Sequence, residues 1–133
     1  YLRAQKYVNK ALQANSDNSE LWKKSAFIHF QLNFYEETAV GCKTAIGLGN
    51  HDILNWTLWM DSLMLINDWK KALEIGEEAL NYHKKNSSVL YRLAGCKFRL
   101  GNKNEALFIF DQIKNKVIIP RNINHLFPEL IKV

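Results

Sequence analysis

The 133-residue chain is 47% apolar and 23% charged, which excludes an intrinsically disordered segment and supplies enough material for a continuous core. Two prolines and six glycines are too few for turn-rich sandwiches and barrels, so the composition points to an all-α protein. The net charge of +5 falls short of a nucleic-acid signature, and no apolar run approaches the roughly 20 residues that span a bilayer.

In chain order, apolar residues recurring at i, i+3, i+4 and i+7 predict helices over 2–14, 19–32, 36–48, 53–66, 69–82, 87–100 and 103–115. Asn15 to Asn18 stops the first helix and caps the second. Asn33, Asn67 and Gly101 stand where the second, fourth and sixth must end, and these residue types tolerate the left-handed backbone of such a stop. Gly49-Asn50 and Lys85-Asn86-Ser87 do the same after the third and fifth. From Val117 the pattern changes. With Pro120 and Pro128, this stretch is expected to close the array, Val117, Ile118, Ile119, Leu126, Phe127 and Leu130 covering the last hairpin.

The helices repeat with a period of 34 residues. Trp22, Trp56 and Leu90 share a column, as do Ala26, Met60 and Ala94; Leu32, Ile66 and Leu100; and Tyr35, Trp69 and Lys103. The columns continue with Thr38, Ala72 and Ala106, which are small, and with Ala11, Ala45, Ala79 and Ile113. Each line of 34 is a helix hairpin, whose helices approach closely where a column is small, while the large columns fill the gaps between hairpins.

These residues resemble the tetratricopeptide repeat, most closely in Asn67-Asp68-Trp69-Lys70-Lys71-Ala72-Leu73, Leu90-Tyr91-Arg92-Leu93-Ala94 and Gly101-Asn102-Lys103-Asn104-Glu105-Ala106-Leu107. The resemblance implies a right-handed superhelical array of antiparallel helix hairpins. It divides the chain into a second helix of a partial repeat (1–18), repeats over 19–52, 53–86 and 87–120, and a closing tail (121–133). Asn50 and Lys84 replace the usual proline, Cys42 and Gly76 the usual Phe, and His29 and Lys97 the usual first-helix Tyr. The chain, which opens on a second helix, is expected to be a piece of a longer, bacterial protein.

No motif for chemistry emerges, so no catalytic, metal or cofactor residue is assigned. His29, His51, His83 and His125 lack the spacing of a zinc site. Glu36-Glu37 and Glu77-Glu78 read as solvated helix faces, not acid–base pairs. Gly47 to Asn50 follows a helix and lacks the Lys-Ser/Thr ending of a phosphate loop. Cys42 and Cys96 form no local motif and read as small apolar residues in a reducing compartment, which favours the cytoplasm.

By the family register, the first helices line a concave face. That face carries Lys23, Phe27 and Phe30, then Leu54, Leu58, Asp61 and Leu65, then Tyr91, Arg92, Phe98 and Arg99. The helix from Ile53 to Met60 is apolar almost all round, which calls for a cover: a peptide, a second copy, the tail, or its own neighbours. Residues 87–120 hold six Lys plus Arg against two acids. Arg92 and Arg99, seven apart on one helix face, are expected to engage carboxylates of a partner. The chaperone-tail carboxylate clamp of one subgroup is not expected, because Phe27, Leu58 and Ser88 occupy three of its five positions and only Lys23 and Arg92 match.

The function expected is a non-catalytic scaffold that binds a peptide or protein segment, apolar with acidic groups, in the concave groove. The alternative is a sensing or docking module of a larger signalling enzyme or peptide-responsive transcriptional regulator. RNA binding is disfavoured because the first two repeats are slightly acidic, and homo-oligomerisation through the apolar helix or the open first edge is a further option.

Overall fold

The computed structural model describes residues 1–117, 120 and 123–126. Seven α-helices follow one another: α1 (Leu2–Ala14), α2 (Ser19–Gln31), α3 (Tyr35–Gly47), α4 (Ile53–Leu65), α5 (Trp69–Ala79), α6 (Ser87–Arg99) and α7 (Lys103–Ile113), with a 3-10 turn at Asn124–Leu126. Starts agree with the sequence pattern to within a residue; the end of α1 coincides with it, and the other ends fall one to three residues earlier.

Local chemistry accounts for the boundaries. Asn18 Oδ1 accepts from the backbone N–H groups of Glu20 and Leu21, at 3.0 and 3.3 Å. Asp52, Asp68 and Asn86 cap α4, α5 and α6 in the same way. At the hairpin turns Asn33, Asn67 and Gly101 take φ of 64°, 66° and 96°. Beyond each, the next N–H donates five residues back, Phe34 to His29, Asp68 to Leu63 and Asn102 to Lys97, all at 2.8 Å. This repeated closure is the left-handed helix stop that glycine and asparagine favour.

Consecutive helices pack against one another, and the first helices of neighbouring hairpins, α2 with α4 and α4 with α6, also touch. The second helices α3, α5 and α7 meet one another less, so α2, α4 and α6 form the inner side of the array. Ala26, Met60, Thr38, Ala72, Ala94 and Ala106 are all fully buried, as their close-approach columns require. At Gly76 an added Cβ would lie 2.5 Å from both Met60 Cε and Leu93 Cδ2. Met60, the large member of a small column, therefore occupies the room that this glycine leaves.

The main core runs through α4 to α7 and takes in Trp56, Met60, Met64, Val89, Tyr91 and Phe110. Val117 packs against it and Ile123 is buried in it. Of the other residues expected to close the array, Ile118, Ile119, Phe127 and Leu130 lie outside the described residues, as does the side chain of Leu126. Smaller clusters centre on Ala26, Phe30, Cys42 and Leu58, and on Val8, Leu12 and Ile28. The cover of the apolar helix α4 is settled here: it touches α2, α3, α5 and α6, and Trp56, Met60 and Met64 are fully buried among them. Ile53, Leu54, Trp59 and Leu65 remain partly open.

Candidate functional site

On the inner side, two clefts share Leu54. The first, about 290 Å³, lies between α2 and α4 and is lined by Glu20, Lys23, Lys24, Phe27 and Leu54, with Ile28 at its base. The second, about 380 Å³, continues toward α6 and is lined by Phe30, Gln31, Thr57, Leu58, Asp61 and Arg92 beside Leu54. Helical spacing explains the alignment. Lys23, Phe27 and Phe30, like Leu54, Leu58 and Asp61, follow at three or four residues and therefore share one stripe of their helix.

The N-terminal cleft is apolar with a basic rim. Phe27 is 41% exposed, whereas Phe30 is buried with its ring edge-on to Tyr35 at 5.6 Å. Lys23 Nζ stands 3.2 Å from Asp52 Oδ2. The Leu54 N–H bond, together with Lys23, holds Asp52 below the ordinary carboxylate value against a modest burial effect. Asn50 donates to Glu20 Oε1 at 3.0 Å, tying the start of α2 to the loop before α4. Lys24 is exposed on the rim.

The second cleft has an ion pair in its floor. Arg92 Nε and Nη2 donate to the two oxygens of Asp61 at 2.6 and 3.1 Å, and its Nη1 donates to the Ser88 carbonyl at 3.0 Å. Asp61 is 2% exposed and Arg92 6%. A fork of this kind satisfies the guanidinium and fixes α6 against α4.

Seven of the residues expected on the face thus line the two clefts: Lys23, Phe27, Phe30, Leu54, Leu58, Asp61 and Arg92. Two expectations need correction. Arg92 does not offer a free guanidinium to a partner, because Asp61 already binds it through both oxygens. Tyr91 is fully buried, its ring 6.0 Å from Phe110, because its side of α6 packs on α7. Leu65 is half-buried and packs with Phe30 and Leu58. Phe98 is half-buried under Lys103, whose Nζ lies 5.6 Å from the ring centroid. Arg99 stacks over Trp69 at 4.8 Å, which places it toward the preceding hairpin turn instead of beside Arg92.

The Asp61–Arg92 pairing was missed in the sequence, although opposite charges 31 residues apart on first helices of successive repeats were its signal. Among the described residues no group of three or more His, Cys, Asp or Glu side chains is arranged to hold a metal. Among them, too, no helix is long and apolar enough to cross a membrane. Both cysteines are free and buried; burial, with Asp61 adding to it, pushes each thiol up to about 12.

No curated protein matches the chain significantly. Residues 64–117, from the end of α4 through α7, match the family model of the tetratricopeptide repeat. Repeats of this family mediate protein–protein interaction, and the fold is typically non-catalytic. The matched segment and the helices before it, which share its hairpin stops, fit a protein that contains tetratricopeptide repeats.

Proposed function

We propose that the chain is a scaffold whose inner face seats a peptide segment of a partner protein across α2, α4 and α6. The observation that carries this reading is the pair of clefts that share Leu54, with Phe27 exposed on one side and the closed Asp61–Arg92 floor on the other. An apolar side chain of the ligand enters between Phe27 and Leu54, where large apolar residues would otherwise remain open to water. An acidic residue beside it meets the rim at Lys24, so the anion-binding role expected of Arg92 and Arg99 moves to the N-terminal end of the groove. With Arg92 committed to Asp61 and Lys23 shared with Asp52, the chaperone-tail clamp remains unexpected.

Panning a random-peptide library against the folded chain tests the reading. The peptides selected should carry an apolar residue next to an acid, and Phe27→Ala should weaken them by about tenfold, the loss of one buried aromatic contact. Selected peptides that bind Phe27→Ala and Leu54→Ala variants with unchanged affinity would refute it.

A further inference from the structure

The outer side of the first hairpin contains a cavity whose lining departs from that of the equivalent position in the third repeat. In the first-helix column that holds Trp59 and Leu93, the first repeat has Ser25, and in the column of Leu63 and Lys97 it has His29. Trp59 and Leu93 pack into the main core. Ser25 is too small to fill that space, and a cavity of about 290 Å³ opens between α1 and α3 above α2. Leu12, Trp22 and Val40 form its apolar walls.

Its charged groups are two carboxylates. Ser25 and His29, 3% and 8% exposed, sit at the base with Ser25 Oγ 3.2 Å from His29 Nδ1. Among the described residues Ser25 is the only hydrogen-bond partner of the imidazole, whose other nitrogen, Nε2, has none. The Nδ1–H tautomer, donating to Ser25 Oγ, leaves Nε2 as an acceptor. Asn9, Glu36 and Glu37 complete the lining, and it includes neither Lys nor Arg. The two glutamates lie in the first turn of α3, where the helix dipole favours acids; that accounts for their charge but not for the cavity beside them.

The third repeat, where a cavity of about 410 Å³ occupies the same columns, shows what the position does when a lysine lines it. There Lys97 stands in the column of His29 and Glu105 in that of Glu37, and Lys97 Nζ meets Glu105 Oε2 at 2.9 Å. In the first repeat the glutamate is retained and the lysine is gone. We infer that this cavity receives a primary ammonium group on an apolar stem, the stem lying along Trp22 and Leu12 and the charge meeting Glu37 and Glu36. The volume suits one side chain and lies just below the roughly 300–1,000 Å³ range of drug-sized sites. The shared chemistry admits a lysine side chain of a partner protein or a free alkylamine. The site lies on the opposite side of the array from the proposed peptide groove and is independent of it.

Amide and imidazole NMR shifts of the folded chain test this with three probes: Nα-acetyl-lysine methylamide, n-butylamine and the neutral Nα-acetyl-norleucine methylamide. Saturable shifts confined to Ser25, His29, Glu36 and Glu37 with the amines, and none with norleucine, are expected. Response to both amines marks a general alkylammonium site; response to the lysine derivative alone marks a site for a polypeptide side chain. Glu36→Gln combined with Glu37→Gln should weaken the amine by about tenfold, the equivalent of one charge-assisted hydrogen bond. Ser25→Leu, which copies Leu93, should abolish binding by filling the cavity. The glutamine pair occupies exposed positions, so it decides the matter however well the core accepts leucine. Absence of saturable shifts, equal response to norleucine, or unchanged affinity in the glutamine variant would overturn the inference.

Discussion

Replacing Asp61 with alanine leaves the Arg92 guanidinium, 6% exposed, without this counter-charge, while the Ser88 carbonyl stays bonded to it. Two charge-assisted bonds at 2.6 and 3.1 Å vanish from a site that is buried in the floor of the second cleft. Removing one member of a buried pair costs about 3–5 kcal/mol, a large share of the roughly 5–15 kcal/mol that holds a domain of this size folded. Replacing both members, as Asp61→Leu with Arg92→Met, removes the unpaired charge and should recover most of that loss. Urea denaturation followed by circular dichroism on the wild type, both single variants and the double variant supplies the coupling energy. A loss of less than about 1 kcal/mol for Asp61→Ala, the value of an exposed pair, would refute a desolvated link between α4 and α6.

Other consequences are open to measurement. Gly76→Ala should lower stability by about 1–2 kcal/mol despite the better helix propensity of alanine, because the new methyl meets Met60 and Leu93 at 2.5 Å; a raised melting temperature would contradict this. Lys85 holds φ at 56° between α5 and α6, so Lys85→Gly should stabilise the chain by about 0.5–1 kcal/mol, read from the urea midpoint. The thiols of Cys42 and Cys96 ionise from near 9.0 when exposed and not until about 12 when folded, so both should resist Ellman's reagent at neutral pH until denaturant is added. The same difference favours the folded state fully below the ordinary thiol value and is lost as pH rises toward the folded one, so stability should decline on the alkaline side and less so in a double Cys→Ala variant. Asp52, whose value is lowered on folding, acts with the opposite sign: its cap and its link to Lys23 hold above 3.8 and weaken as pH falls through the lowered value, and Asp52→Asn should remove that acid-side dependence.

How much was legible in the sequence follows from what each feature depends on. Helix starts depend on Asn18, Asp52, Asp68 and Asn86 within three residues of the groups they cap, and the hairpin stops on Asn33, Asn67 and Gly101. Such local determinants are visible in a single line of sequence. The resemblance to the tetratricopeptide repeat extends this to which residues face inward, because its register implies an inner face with Phe27, Leu54 and Leu58.

Column position does not decide how deep a side chain lies or which charge it meets. Tyr91 and Arg92 occupy ligand-facing positions of the register, yet α7 covers the first and Asp61 neutralises the second. The hydrophobicity of α4 implied a cover and left open whether another molecule or its own four neighbours supplied it. His29 reads as one departure from a pattern and Ser25 carries no signal in the sequence; only packing α1 and α3 against α2 turns the missing volume of a Trp or Leu into a cavity. By itself the sequence determined the helices, their stops and the repeat, because capping, propensity and periodicity act over a few residues. Depth, charge pairing and empty volume were decided by the tertiary structure, because each depends on the distance between side chains some thirty residues apart.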